Sequence, residues 1–186
     1  MKRFAAIVLV VCTARLVAPR AVSAQEQGDT GITMGYPASF GFIFHVTNKI
    51  ALRPEVVFAR STTEFEETFV DRDSTAWSVG VGMSALIYVA EWDQVRAYVS
   101  PRYVYTRAES NAFSALFPES ESRTTSDSHL FSGSFGAQYK PHPRFSIFGE
   151  IGLGYTTSTT TSGISSLKAD GTSLSTRTGA GVIFYF

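Results

Sequence analysis

From about residue 31 to the end, apolar residues recur at every second position, and helical spacing is nearly absent. From Trp77 one face of the chain reads Trp77, Val79, Val81, Met83, Ala85, Ile87 and Val89, and the other reads Ser78, Gly80, Gly82, Ser84, Leu86 and Tyr88. Successive side chains of a strand point to opposite faces, so each such run predicts a strand with two unlike surfaces. The pattern recurs in Val95–Thr106, in a strand from about Thr125 to Tyr139, in Phe145–Thr156, and in Ser173–Phe186. Two shorter strands lie upstream. One carries Phe40, Phe42, Phe44 and Val46, and the next sets Ile50, Leu52, Pro54, Val56 and Phe58 against Ala51, Arg53, Glu55, Val57 and Ala59.

The connections alternate in length. Short turns fall at Thr47–Lys49, Ala90–Gln94 and Lys140–Arg144, and long polar segments at 61–74, 108–124 and 158–171, which read as loops. Several runs reach 12–16 residues, beyond the ~5–6 typical of globular strands, whereas a tilted bilayer crossing needs ~9–11. Seven strands are clear, and a closed antiparallel barrel with both termini on one side needs an even number. Gly31–Tyr36 supplies the eighth, followed by a tight turn at Tyr36-Pro37-Ala38-Ser39; one bent strand over 31–46 would leave the count odd. Pro54 and Pro101 each remove a ladder donor and predict a bulge or a local break in pairing.

The face opposite the aliphatic stripe decides which side is inside. It holds small residues (Gly80, Gly82, Gly152, Gly154, Gly179, Gly181) and the charges Arg53, Glu55, Arg96, Arg102, Glu150 and Arg177. That mixture fills the narrow interior of about eight strands, and charges there persist only when paired. The six charged residues therefore predict a luminal Arg–Glu network, with the aliphatic stripe facing lipid. An ordinary soluble sheet with these charges in water is the alternative. Trp77, Tyr103, Tyr105 and Tyr155 near the long segments, and Trp92 and Tyr139 near the short turns, fall where interfacial aromatic girdles are expected.

Composition agrees. Only 17% of the 186 residues are charged, against ~25% in soluble domains, and 13% are aromatic. Lys2 and Arg3, the apolar run Phe4–Cys12 and Val22-Ser23-Ala24 predict a signal peptide over residues 1–24, cleaved before Gln25, leaving 25–186 as one barrel domain. The leader holds four of the 16 basic residues, none of the 16 acids and the single Cys, so the exported chain carries net charge −4 and no disulfide. A mildly acidic exported chain without a basic patch is not a nucleic-acid binder.

The chain ends Gly179-Ala180-Gly181-Val182-Ile183-Phe184-Tyr185-Phe186. A last strand finishing on Phe with apolar residues at alternate positions resembles the signal read by the outer-membrane barrel-assembly machinery, with Gly181, Phe184 and Phe186 matching; Gly179 stands where a polar residue is usual. The region from 25 to 186 resembles the small OmpA/OmpX-type outer-membrane barrels. The resemblance implies an eight-stranded antiparallel transmembrane up-and-down β-barrel in the cell outer membrane. It also implies a monomer, with outer-membrane lipid, lipopolysaccharide and the assembly machinery as partners.

Signs of catalysis are thin. His45, His129 and His142 lack metal-ligand spacing, so no metal or cofactor is expected. Some eight-stranded barrels similar in size hydrolyse acyl chains of lipopolysaccharide with a His–Ser pair and an acid. Here Asp127-Ser128-His129 is followed by Phe131 at the serine position of that motif. Ser128 and His129, being adjacent, point to opposite faces and cannot form a nucleophile–base pair. Glu55 and Glu150 read as partners for luminal arginine, and Glu64, Glu66, Glu67, Asp71 and Asp73 as an acidic outer patch. Eight strands enclose a lumen that side chains fill, which argues against a diffusion pore. The expected role is structural or surface-interacting, through the outer loops and without enzymatic activity. A narrow channel and a soluble exported ligand-binding barrel are the alternatives.

Overall fold

The computed structural model describes residues 28–37, 39–67, 70–114, 122–162 and 168–186; the predicted leader, 1–24, lies outside them, as does Ala38 of the first turn. Eight strands follow one another: β1 Thr30–Tyr36, β2 Ser39–Thr47, β3 Ile50–Glu67, β4 Val70–Trp92, β5 Val95–Ser114, β6 Ser122–His142, β7 Phe145–Ser162 and β8 Lys168–Tyr185. Each pairs antiparallel with the next, and β8 closes on β1. The separate first strand at 31–36 is therefore present.

The register fixes the barrel's shape. One row of lateral partners runs Met34, Phe40, Val56, Val81, Tyr105, His129, Thr157, Thr172. It reaches β8 ten residues from Val182, the β8 residue that pairs with Met34. A stagger of ten over eight strands tilts the strands by about 40°, within the range of transmembrane barrels.

Polarity is inverted relative to a soluble barrel. Val79, Val81 and Phe184 are 40%, 58% and 47% exposed on the outer wall, whereas Arg53, Arg96 and Glu150 are at most 5% exposed inside. Tyr103, Tyr155, Trp92 and Tyr139 also face outward. Inner glycines make room for large luminal side chains. A Cβ on Gly136 would stand 2.5 Å from the Tyr98 ring, and one on Gly181 would stand 2.6 Å from Phe148 Cζ.

One expectation needs correction. The segments 61–74, 108–124 and 158–171 are largely strand: β3 runs to Glu67, β4 starts at Val70, β5 runs to Ser114, β6 starts at Ser122, β7 runs to Ser162 and β8 starts at Lys168. Above the membrane both faces meet water, so strand pairing continues without an apolar stripe to betray it. Thr-rich β7 and the cross-strand pairs Arg123–Glu109 (2.7 Å) and Thr159–Asp170 (2.7 Å) hold this part together. The β1–β2 hairpin has no such extension, so one side of the rim is low and the rest forms a tall polar wall. The acidic side chains at 64–73 lie outside the described residues.

At the prolines the second of the two expected effects is found, a local break in pairing and not a bulge. Register is unchanged across Pro54 (Gly41↔Glu55, then Phe44↔Leu52) and across Pro101 (Ser84↔Arg102, then Ile87↔Val99). Each ladder skips pairs at the missing N–H and resumes in step. The register shifts fall instead at His45/Thr47, Tyr88/Ala90 and Tyr139/His142, beside the short turns.

Candidate functional site

The lumen is filled on two levels. On the upper level, β3, β5, β7 and β8 bring five charged side chains together. Arg53 Nη2 and Arg177 Nη1 donate to the two oxygens of Glu150 at 2.7 and 2.9 Å. Arg102 grips Glu55 with two donors, its Nη2 at 2.9 Å from Oε2. Charge-assisted, two-pronged pairs of this kind are among the stronger hydrogen bonds and offset part of the cost of removing ions from water.

Neutral groups complete the network. The Tyr98 hydroxyl donates to Glu150 at 3.1 Å, Arg53 Nε to Ser84 at 3.0 Å, and Arg177 Nη1 to Ser134 at 3.0 Å. The Arg53 guanidinium also lies 5.1 Å from the Phe148 ring centroid. Three arginines meet two carboxylates, so this level carries one excess positive charge.

Arg96 does not join this network. It lies six residues below Arg102 on β5, about 20 Å along the strand. Its guanidinium instead lies 3.7 Å from the Tyr88 ring centroid, with Nε 3.6 Å from Glu91, and it donates to the Asn48 carbonyl in the neighbouring turn. It belongs to the lower level, where aromatic and apolar side chains close the barrel. Tyr88 donates to Gln138 Oε1 at 2.9 Å, and Gln138 Nε2 donates to the Tyr185 hydroxyl at 2.8 Å. His45 stacks on Tyr88 at 5.7 Å, and Ile43, Leu86 and Ile183 fill the remaining space.

Tyr88, Tyr98, Gln138, Tyr185 and Ser84 were missed by reasoning that searched for charges. Their signal was available: each sits on the Gly/Arg face of its strand, where a large side chain must point into the lumen.

On the outer wall His129 has a partner. Its Nδ1 is 2.9 Å from the Tyr103 hydroxyl, and its ring packs 5.3 Å from that of Tyr105, whose hydroxyl donates to Asp127 at 2.6 Å. Ser128 turns inward to the Thr106 carbonyl, so it and His129 do stand on opposite faces. His142 lies at the exposed end of β6, where Nδ1 accepts the Arg144 N–H at 3.2 Å. Among the described residues no three His, Cys, Asp or Glu side chains are grouped to hold a metal ion.

The C-terminal residues divide between faces. Gly181 lines the lumen beside Phe148, whereas Phe184 and Phe186 face outward, Phe184 against Phe145 at 5.3 Å.

No protein-family model matches the chain, and neither does any curated protein. Solved structures do. A major outer membrane protein of Thermus thermophilus superposes with a TM-score of 0.55 at 11% identity, over 85% of this chain and 98% of that one. CarO of Acinetobacter baumannii (TM-score 0.47, 10% identity, 88% and 100% covered) is also similar. So is Ail, the attachment invasion locus protein of Yersinia pestis (0.43, 19%, 87% and 100%). The first of these carries the comparison: the fold is that of an outer-membrane β-barrel.

Proposed function

We propose that this barrel resides in a cell outer membrane, most simply as a monomer, and that its role is structural and surface-directed, exerted through the polar wall above the lipid. The observation that carries this reading is the doubly closed lumen: an ion-pair layer above and a hydrogen-bonded aromatic layer below. A barrel so filled offers no aqueous path, which leaves the outer wall and rim as the surfaces that meet other molecules. Outer-membrane lipid and lipopolysaccharide would surround the apolar band, and Gly181, Phe184 and Phe186 would present the chain to the assembly machinery.

Envelope fractionation with gel migration before and after boiling tests the placement. The chain is expected with the outer membrane and with a heat-dependent shift; recovery from the periplasm without detergent would make it a soluble binding barrel instead. Planar-bilayer recording is expected to show no steps. Conductance that disappears when Arg96 and Glu150 are altered would reassign it as a narrow channel. Release of fatty acid from lipopolysaccharide by the purified protein would make it an enzyme. Removing Phe186 is expected to lower the yield of heat-shifting barrel.

A further inference from the structure

The outer wall across β4–β8 carries two concavities, one reaching Tyr103 and the other His129. Successive rows of lateral partners, read outward from the membrane interior, change character in order. The first contains Pro101, Gly133, Leu153 and Thr176, and the second Tyr103, Phe131, Tyr155 and Leu174. The third contains Tyr105, His129, Thr157 and Thr172, and the fourth Arg107, Asp127, Thr159 and Asp170. A largely apolar row, an aromatic one, a mixed one and a hydrophilic one thus follow one another, as the outer half of a lipid leaflet does.

Across the first two rows lies an open trough of about 730 Å³, because Ala85, Pro101 and Gly133 are small while Met83, Phe131 and Leu153 stand up around them. A Cβ on Gly133 would meet nothing within 4 Å, so its face is open. Immediately above, a hollow of about 200 Å³ is lined by His129, Thr157, Thr159, Asp170 and Thr172. The bond between Tyr103, at the top of the trough, and His129, at the floor of the hollow, joins the two.

We propose that this track binds one outer-leaflet glycolipid, its acyl chain in the trough and an uncharged sugar in the hollow. This rests on the outer-membrane placement proposed above. Threonine hydroxyls that both donate and accept, beside a carboxylate that accepts, match vicinal sugar hydroxyls. The Asp170 carboxylate already takes the Thr159 hydroxyl at 2.7 Å and keeps further lone pairs. A phosphate headgroup is disfavoured in the hollow itself: Asp170 is the charged residue among those that line it, while Arg107 stands beside Asp127 and Lys168 lies one row further out. Fixed hydroxyls and a facing concavity give such a lipid an advantage over one that merely fills the annulus.

Native mass spectrometry of the detergent-solubilised barrel, offered equal amounts of digalactosyl diacylglycerol and phosphatidylglycerol with matched acyl chains, tests the site. The galactolipid adduct is expected to exceed the phospholipid adduct at least tenfold. Gly133→Trp, which fills the trough from a position with free space, is expected to remove most of that adduct, and Asp170→Ala to reduce the preference to below threefold. The heat-dependent gel shift identifies folded samples of each variant. Equal adducts in the unaltered protein would overturn the proposal, as would a preference indifferent to Gly133→Trp. A dimer peak abolished by Gly133→Trp would also overturn it, since a second copy would then occupy the trough. Adducts measured in detergent are independent of which membrane the chain inhabits, so failure here leaves the outer-membrane placement standing, and failed fractionation leaves the adducts standing.

Discussion

The two levels of the lumen solve one problem by different chemistry. Both fill a space about eight strands wide, but the upper level does so with carboxylate–guanidinium pairs and the lower with rings and an amide, its Arg96 guanidinium lying against the Tyr88 ring. In the upper level each charge depends on its partner: Glu150 neutralises both Arg53 and Arg177, so a single deletion strands two arginines. In the lower level the loss of Gln138 takes the acceptor from the Tyr88 hydroxyl and a donor from the Tyr185 hydroxyl, groups that are polar but uncharged. Burying an unpaired ion costs more than burying an unpaired hydroxyl. The upper level is therefore the more brittle, although bonds at the two levels are about equally close, 2.7–2.9 Å above and 2.8–2.9 Å below.

Glu150→Ala should accordingly be the most damaging single change, costing about 3–5 kcal/mol as expected for breaking a buried pair. The midpoint of urea unfolding in lipid vesicles, read from the heat-dependent gel shift, measures it. A midpoint within error of the parent would mean that water reaches Arg53 and Arg177 freely. The sharper version replaces the Arg53–Glu150 pair with Met at both positions. Exchanging a buried ion pair for apolar groups of similar volume is often nearly neutral, so the double variant should be more stable than Glu150→Ala alone. If it proves worse, packing rather than charge pairing governs the upper level.

Gln138→Leu comes next. It preserves volume while removing one acceptor and one donor, and about 1–3 kcal/mol should be lost. Tyr88→Phe in the same background should restore part of this, since it deletes the hydroxyl whose acceptor was removed. The double-variant cycle reads that coupling directly; strict additivity would show that the two residues do not act through their bond.

What the sequence made legible follows the same division. Alternation exposed which residues face inward wherever lipid or the lumen imposed a contrast. That is why Arg53, Glu55, Arg102, Glu150 and Arg177 are legible as inward-facing charges, which the structure arranges as a Glu150-centred triad and an Arg102–Glu55 pair. Height along the barrel was not legible, because it depends on cross-strand register and on a stagger of ten. Arg96 was grouped with Arg102 for that reason, although six residues of strand separate them. The wall above the membrane was invisible for another reason: Ser110, Thr124, Thr160 and their neighbours have water on both sides, and no hydrophobic period survives there. His129 gained its partner only through the β5–β6 register, which brings Tyr103 and Tyr105 to its two sides.

That wall supplies the mildest test of the contrast between enclosed and exposed charge. Arg123 and Glu109 approach as closely as Arg53 and Glu150, at 2.7 Å, but the Arg123 side chain is 64% exposed. Water and salt screen such a pair, and pairs of this type contribute about 0–1 kcal/mol. Arg123→Ala should therefore leave the unfolding midpoint almost unmoved, and raising the salt concentration should erase whatever difference remains. Glu150→Ala should keep its deficit in the same high salt, because ions do not enter the closed lumen. Should the two variants respond alike to salt, the upper level would be as wet as the wall, and the argument for a lumen sealed by its own side chains would fail with it.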